Sequence, residues 1–378
     1  SRKNLDSALK SNKIIYGVNT GFGKLSNIKI KNSDLTKLQH NLILSHATGI
    51  GENIDDIVVK IMLILKIISF SKGCSGIRLE IVNRLVEFYN LNFYPVIPKK
   101  GSVGASGDLA PLAHLALPII GMGKIRFNGK IYNTVELLKK KNTIKPISLS
   151  YKEGLSLING THYSTSLAIA SGIEIEKILT VADVAGAMSL EGALGSKKPF
   201  LEKVNLLKPY LGQKHSSSNI IKLLENSEIL KSHEHCDKVQ DPYSFRCMSI
   251  VHGESRQIVS YLFDCIDIEI NSISDNPLVL NDGDIISAGH FHAQNIGSCM
   301  DYVGASLANL GTISERRMYN LLKGEDGLNL FLVNNPGLDS GFMMLHVTAA
   351  ALTSENKTLS YPASVDSIPT SAGQEDHV

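Results

Sequence analysis

The chain has 378 residues, 43% hydrophobic and 20% charged, with a formal net charge of +2. Such a length and composition fit a globular protein with a large core and exclude a disordered or low-complexity chain. The nearly balanced charge provides no strong field, so neither nucleic acid nor a membrane surface is expected as a partner. Cys74, Cys236, Cys247, Cys265 and Cys299 are odd in number and form no C-x-x-C pair. Free thiols in a reducing, cytoplasmic setting are therefore expected.

Gly17 to Gly23 is the first glycine-rich loop. Ile57 to Phe70 is the most apolar stretch; Lys60 and Lys66 interrupt it, and it is too short to span a bilayer, so it predicts a buried helix. A second glycine-rich loop, Gly101 to Gly107, leads into a helix starting near Asp108-Leu109. Lys124 to Tyr132 alternates apolar and polar residues around Asn128-Gly129, which predicts a hairpin with a type I′ turn. Lys139-Lys140-Lys141 reads as a solvated helix end.

Ser166 to Leu194 is apolar and free of proline, and predicts a long buried helix. Lys197 to Asp241, with Ser216-Ser217-Ser218, reads as a loop-rich connector. Within it, His233-Glu234-His235-Cys236 has the wrong spacing for a helix-borne zinc pair, and no metal is expected. Ile258, Leu262, Ile266 and Ile270, then Val303, Leu307, Leu310 and Ile313, recur at helical spacing. These patterns predict a mainly α protein: a bundle of long helices over residues 149–378, preceded over residues 1–148 by a smaller mixed region with the hairpin. Both ends look ordered, so the chain is expected to continue past them; no signal peptide is visible.

The segment richest in chemical information is Gly101-Ser-Val-Gly-Ala-Ser-Gly-Asp-Leu-Ala-Pro-Leu-Ala-His114. It is not a nucleophile elbow, because Asp108 stands where Gly-x-Ser-x-Gly needs its second glycine. As an isolated tripeptide, Ala105-Ser106-Gly107 is only a glycine turn ahead of a helix. Five further regions change that reading: Tyr16-Gly-Val-Asn-Thr-Gly-Phe-Gly23, Leu44-Ser-His-Ala-Thr-Gly-Ile-Gly51, Leu157-Ile-Asn-Gly-Thr161, Val239-Gln-Asp-Pro-Tyr-Ser-Phe-Arg246, and the C-terminal pair Val347 to Lys357 with Tyr361 to Thr370. Together and in this order they resemble the histidine and aromatic amino acid ammonia-lyases over essentially the whole chain.

The resemblance implies a helical bundle of the fumarase/aspartase-like class and a 4-methylidene-imidazol-5-one group formed from Ala105, Ser106 and Gly107 without outside help. The residue types suit this, since Gly107 has no side chain to block its nitrogen and Ser106 carries a hydroxyl that can leave as water. It further implies Tyr16 as the base and Tyr243 as a proton relay, with Arg246 clamping the substrate carboxylate. Asn159 and Gln240 would offer amides, and Phe291 would wall the pocket. Ser45-His46 matches the histidine-specific version of the selectivity segment, and Glu355 would accept the imidazole N–H of the substrate. The implied reaction is deamination of L-histidine to trans-urocanate, the first step of histidine degradation, in a homotetramer with shared sites. Tyrosine or phenylalanine lyases and aminomutases are the rival readings within the family, and a non-catalytic scaffold is the rival outside it. His162, His290 and Gln294 depart from residues common in histidine lyases, without removing a group that has an assigned role.

Overall fold

The computed structural model describes residues 1–11, 13–141, 144–235 and 238–378. Cys236 lies outside the described residues; the other four cysteines carry free thiols. Helices dominate, as the periodicity predicts, and the three longest are His162–Gly192, Met248–Ile270 and Gln294–Leu322. The chain forms two compact units, each discontinuous in sequence: residues 1–170, 265–297 and 364–378 make the first, and residues 171–264 and 298–363 the second.

The first unit is built around the apolar stretch near Ile57. It forms the helix Asp56–Ser71, which buries Val58, Val59, Met62, Leu63, Leu65 and Phe70. All of these except Leu65 pack with Leu42, Leu85, Phe88, Leu112, Leu115, Leu157 and Ile158 in one apolar core. The predicted hairpin forms between Lys124–Phe127 and Lys130–Asn133. Asn128 and Gly129 both have positive φ, 49° and 73°, as a type I′ turn requires. Tyr94–Pro95 adds a third short strand, and Ile50–Asn53 pairs antiparallel with Pro98–Lys100.

The second unit has its own core of Ala187, Leu190, Phe200, Leu224, Phe245 and Met248. Here the structure corrects the loop-rich reading of residues 197–241. Leu211–Leu223 is a 13-residue helix, and Ser216 and Ser217 are buried within it. The sequence signal is weak because serine competes for backbone hydrogen bonds and is a poor interior helix former. Packing overrides it: a Cβ on Gly212 would lie 1.9 Å from the Gly253 carbonyl oxygen, so two backbones meet where only glycines fit. Ser216 Oγ accepts a hydrogen bond from Arg256 Nε at 3.1 Å.

Candidate active site

The first unit encloses a cavity of about 1050 Å3 whose lining includes Tyr16, His46, Ser106, Asn159, Phe291 and Glu375. Five of these six are residues singled out in the sequence, and local backbone geometry delivers each. Tyr16 opens a tight turn that needs Gly17 at φ 64°, where a Cβ would strike Leu155 Cδ2 at 2.5 Å. Gln39 is fully buried and ties this turn to the asparagine segment. Its Nε2 donates to the Gly17 carbonyl at 3.1 Å and its Oε1 accepts from Leu155 N at 3.0 Å.

His46 ends the helix Leu35–His46. Its Nδ1 lies 2.9 Å from the Leu42 carbonyl, which can only accept, so Nδ1 carries the proton and Nε2 is left as an acceptor. Burial lowers the pKa of His46 against the opposing pull of the Leu42 carbonyl and Glu375. Burial is also the main influence on Tyr16, raising its pKa; Glu375 raises it further, and only the Gly23 N–H, 3.1 Å from the phenol oxygen, works in the other direction. A phenol in this setting is not yet a base at neutral pH.

The Gly101 to Gly107 loop is held from beneath by Asp108, whose carboxylate is fully buried. It accepts from Ser102 Oγ at 2.7 Å and from Ser164 N and Oγ at 2.8 Å each. Burial raises its pKa although these donors pull it down. Asp108 N donates to the Gly160 carbonyl at 2.8 Å, and Ala293 N to the Gly104 carbonyl at 2.8 Å. Gly107 has φ 83°, and a Cβ there would lie 2.7 Å from Gly160 N. Ala105 is buried, whereas Ser106 faces the cavity lining. Asn159 Nδ2 donates to the Ser106 carbonyl at 3.4 Å.

The sequence reading passed over Glu375. Its carboxylate accepts from Thr370 Oγ1 at 2.7 Å and also from Ser371 and Ser106. Burial alone would raise its pKa, but these hydroxyl donors outweigh burial and lower it. The quoted C-terminal match stops at Thr370, five residues short. The polar run Gln374-Glu375-Asp376-His377 has no period that marks an element, and proximity to Ser106 is its only signal.

Four candidate residues belong to the second unit and do not line this cavity. Gln240 and Glu355 are exposed, Tyr243 is 71% exposed, and the Arg246 guanidinium sits 4.4 Å above the Tyr243 ring. Arg246 Nε donates to the Asp241 carbonyl at 3.0 Å. His290 and Gln294 flank the Phe291 segment, and His162 is buried against Gly160.

The family model for the aromatic amino acid lyases matches residues 1–378. The chain belongs to the aromatic amino acid lyase family. Among its relatives is a protein named histidine ammonia-lyase from Vibrio cholerae, 48% identical over 99% of this chain and 74% of its own length. The fold matches that of the Trypanosoma cruzi histidine ammonia-lyase with a TM-score of 0.88 at 38% identity, covering 100% of this chain and 71% of the other. It matches a Pantoea agglomerans phenylalanine aminomutase with a TM-score of 0.92 at 31% identity, covering 100% and 76%. As an aromatic amino acid lyase, the chain is a carbon–nitrogen lyase. Among the described residues no helix is long and apolar enough to cross a membrane.

Proposed function

We propose that the chain deaminates L-histidine to trans-urocanate and ammonia. The observation that carries this reading is the cavity itself, which places a histidine with a free Nε2 acceptor and a carboxylate, Glu375, beside Ser106. An imidazole ring has an N–H to donate, and a phenyl ring has none. A carboxylate covered by a phenyl group would lose solvation without return. The 48% identity to the Vibrio cholerae relative, against 31% to the phenylalanine aminomutase, supports the same choice.

Ala105, Ser106 and Gly107 fit a methylidene-imidazolone. The crowding at Gly107 admits no side chain, and Asn159 Oδ1 is buried beside the loop without a hydrogen-bond partner among the described residues. When formed, that group supplies an electrophile for the substrate amine, a demand that no ordinary side chain meets. The remaining work falls to the chain's own residues. Glu375 and His46 hold the imidazole, Phe291 walls it, and Asn159 offers its free amide oxygen. Tyr16 takes the β-proton once a cation or further donor lowers its pKa.

The second unit supplies what this cavity lacks. In our reading Arg246 clamps the substrate carboxylate, Gln240 and Tyr243 complete the polar wall, and Glu355 lies at its margin, all contributed by another copy in a homotetramer. The helix Met343–Leu359 supports such assembly, since it buries none of its residues and exposes Met344, Leu345, Val347 and Leu352. The free thiols suit a cytoplasmic compartment.

The test is the rise in urocanate absorbance after adding L-histidine, compared with L-tyrosine and L-phenylalanine, with Ser106→Ala as the inactive control. Turnover of tyrosine but not histidine would overturn the substrate assignment. A Ser106→Ala variant as fast as the parent would overturn the electrophile.

A further inference from the structure

Among the described residues Lys66 is the second largest fully buried side chain, at 0% exposure, and it comes from the middle of the apolar helix Asp56–Ser71. The charged and titratable groups that interact with it electrostatically include Asp275, Lys152, Asp108 and His162. The two carboxylates have other partners: Asp275 pairs with Lys152 at 3.0 Å, and Asp108 is held by Ser102 and Ser164. Lys66 Nζ instead donates to the main-chain carbonyl of Asn159 at 2.6 Å and lies 4.9 Å from the Phe70 ring. Burying an ammonium on a neutral acceptor is costly, and burial lowers its pKa to about 7.

What the Asn159 carbonyl gains is a fixed orientation. The Asn159–Gly160 peptide precedes a glycine at φ 114°, so no side chain stops it from rotating. With its oxygen held by Lys66, a trans peptide must point its N–H the opposite way. The Gly160 nitrogen does lie on the Gly107 side, 2.7 Å from where a Gly107 Cβ would stand. From the same two residues, Asn159 Nδ2 reaches the Ser106 carbonyl and the Gly160 carbonyl accepts from Asp108 N. Residues 106 to 108 are thus clamped by the side chain of Asn159 and the carbonyl of Gly160, the two residues joined by the peptide that Lys66 holds.

We propose that Lys66 is a positioning residue for closure of the Ala105-Ser106-Gly107 ring, acting through the Asn159–Gly160 peptide. The inference rests on the reading of that loop as self-cyclising. In closure the Gly107 nitrogen bonds to the Ala105 carbonyl carbon, and that carbonyl oxygen leaves as water with the Gly107 and Ser106 amide protons. Ser106 loses its hydroxyl and its α-proton as the second water, leaving the exocyclic double bond. No oxidant or reductant takes part. Lys66 touches none of these atoms, and its effect is to keep the Gly107 nitrogen and the Ala105 carbonyl from drifting apart.

The experiment measures the mass of the peptide spanning residues 101–124 in purified full-length chain, together with thermal unfolding of the same sample. Lys66→Met keeps the length and removes the donor, whereas Lys66→Gln keeps a neutral donor. The expected result is a Met variant that unfolds cooperatively but cyclises about tenfold more slowly or worse, the loss of one hydrogen bond to a charged group. The Gln variant should recover part of that loss. A folded Met variant that sheds both waters as fast as the parent overturns the proposal. So does a chain that folds with neither replacement, because Lys66 would then be holding the fold and not the loop. A parent chain that keeps both waters would instead overturn the cyclisation reading itself.

Discussion

At the scale of single residues, the cavity separates groups by what burial does to them. Glu375 stays ionised because hydroxyl donors surround it, while burial keeps His46 neutral against the opposing pull of the Leu42 carbonyl and Glu375. Glu375→Gln keeps the shape and removes the charge, so kcat/KM for histidine should fall roughly ten- to hundredfold, the scale of losing a hydrogen bond between the imidazole and a charged group. A drop of less than about threefold would show that the carboxylate has no part in catalysis. His162 carries a different prediction. It is fully buried, and burial lowers its pKa well below the ordinary 6.5. As pH falls below about 6.5 the unfolded chain takes up this proton and the folded chain does not, so stability present above that pH is lost toward the acid side. His46, His114 and His252 are shifted the same way, so only the difference between two proteins isolates one site. The urea midpoint of His162→Gln should fall less steeply than that of the parent between about pH 7 and 5. Equal slopes would mean that His162 binds its proton equally in the folded and the unfolded chain.

At the scale of elements, local signals were legible and close backbone approach was not. The hairpin could be read because Asn128-Gly129 fixes its turn with two residues. The long helices could be read because stripes such as Val303, Leu310 and Ile313 point into a core. The cavity was legible through Tyr16, His46, Ser106 and Asn159, each carried by a glycine-marked motif. Glu375 escaped because its position depends on a fold-back that leaves no pattern in Ser371 to Val378. The helix Leu211–Leu223 escaped because its stability comes from the Gly212–Gly253 approach and not from its own residues. That contact makes a sharp prediction. Gly212→Ala should lower stability by at least the upper end of the ~1–3 kcal/mol seen for overpacking, since backbone atoms have no rotamer into which to retreat. Denaturant unfolding checks this. A loss below about 0.5 kcal/mol would mean that the two backbones can part at little cost.

At the scale of the whole molecule, the proposed site draws on residues from both compact units of the chain. Tyr16 is pushed away from basicity by burial and by Glu375, and the cavity around it needs a cation to reverse that. Arg246, the residue suited to a carboxylate, lies in the other unit over Tyr243. If assembly joins the two, a site needs Ser106 from one copy and Arg246 from another, and two damaged chains should repair each other. Ser106→Ala and Arg246→Ala should each be inactive alone. Unfolded together and refolded as a mixture, they should regain a measurable fraction of parental activity, because some sites will receive an intact Ser106 and an intact Arg246. Separately refolded samples combined afterwards should regain none unless copies exchange. Replacing Leu345 and Leu352 with glutamate should abolish the regain and reduce the mass seen in sedimentation, because both side chains stand half exposed on a helix that buries nothing of its own. Mixed refolding that yields parental-size particles without activity would place Ser106 and Arg246 in the same copy's site, and the cation Tyr16 needs would then have to come from within one chain.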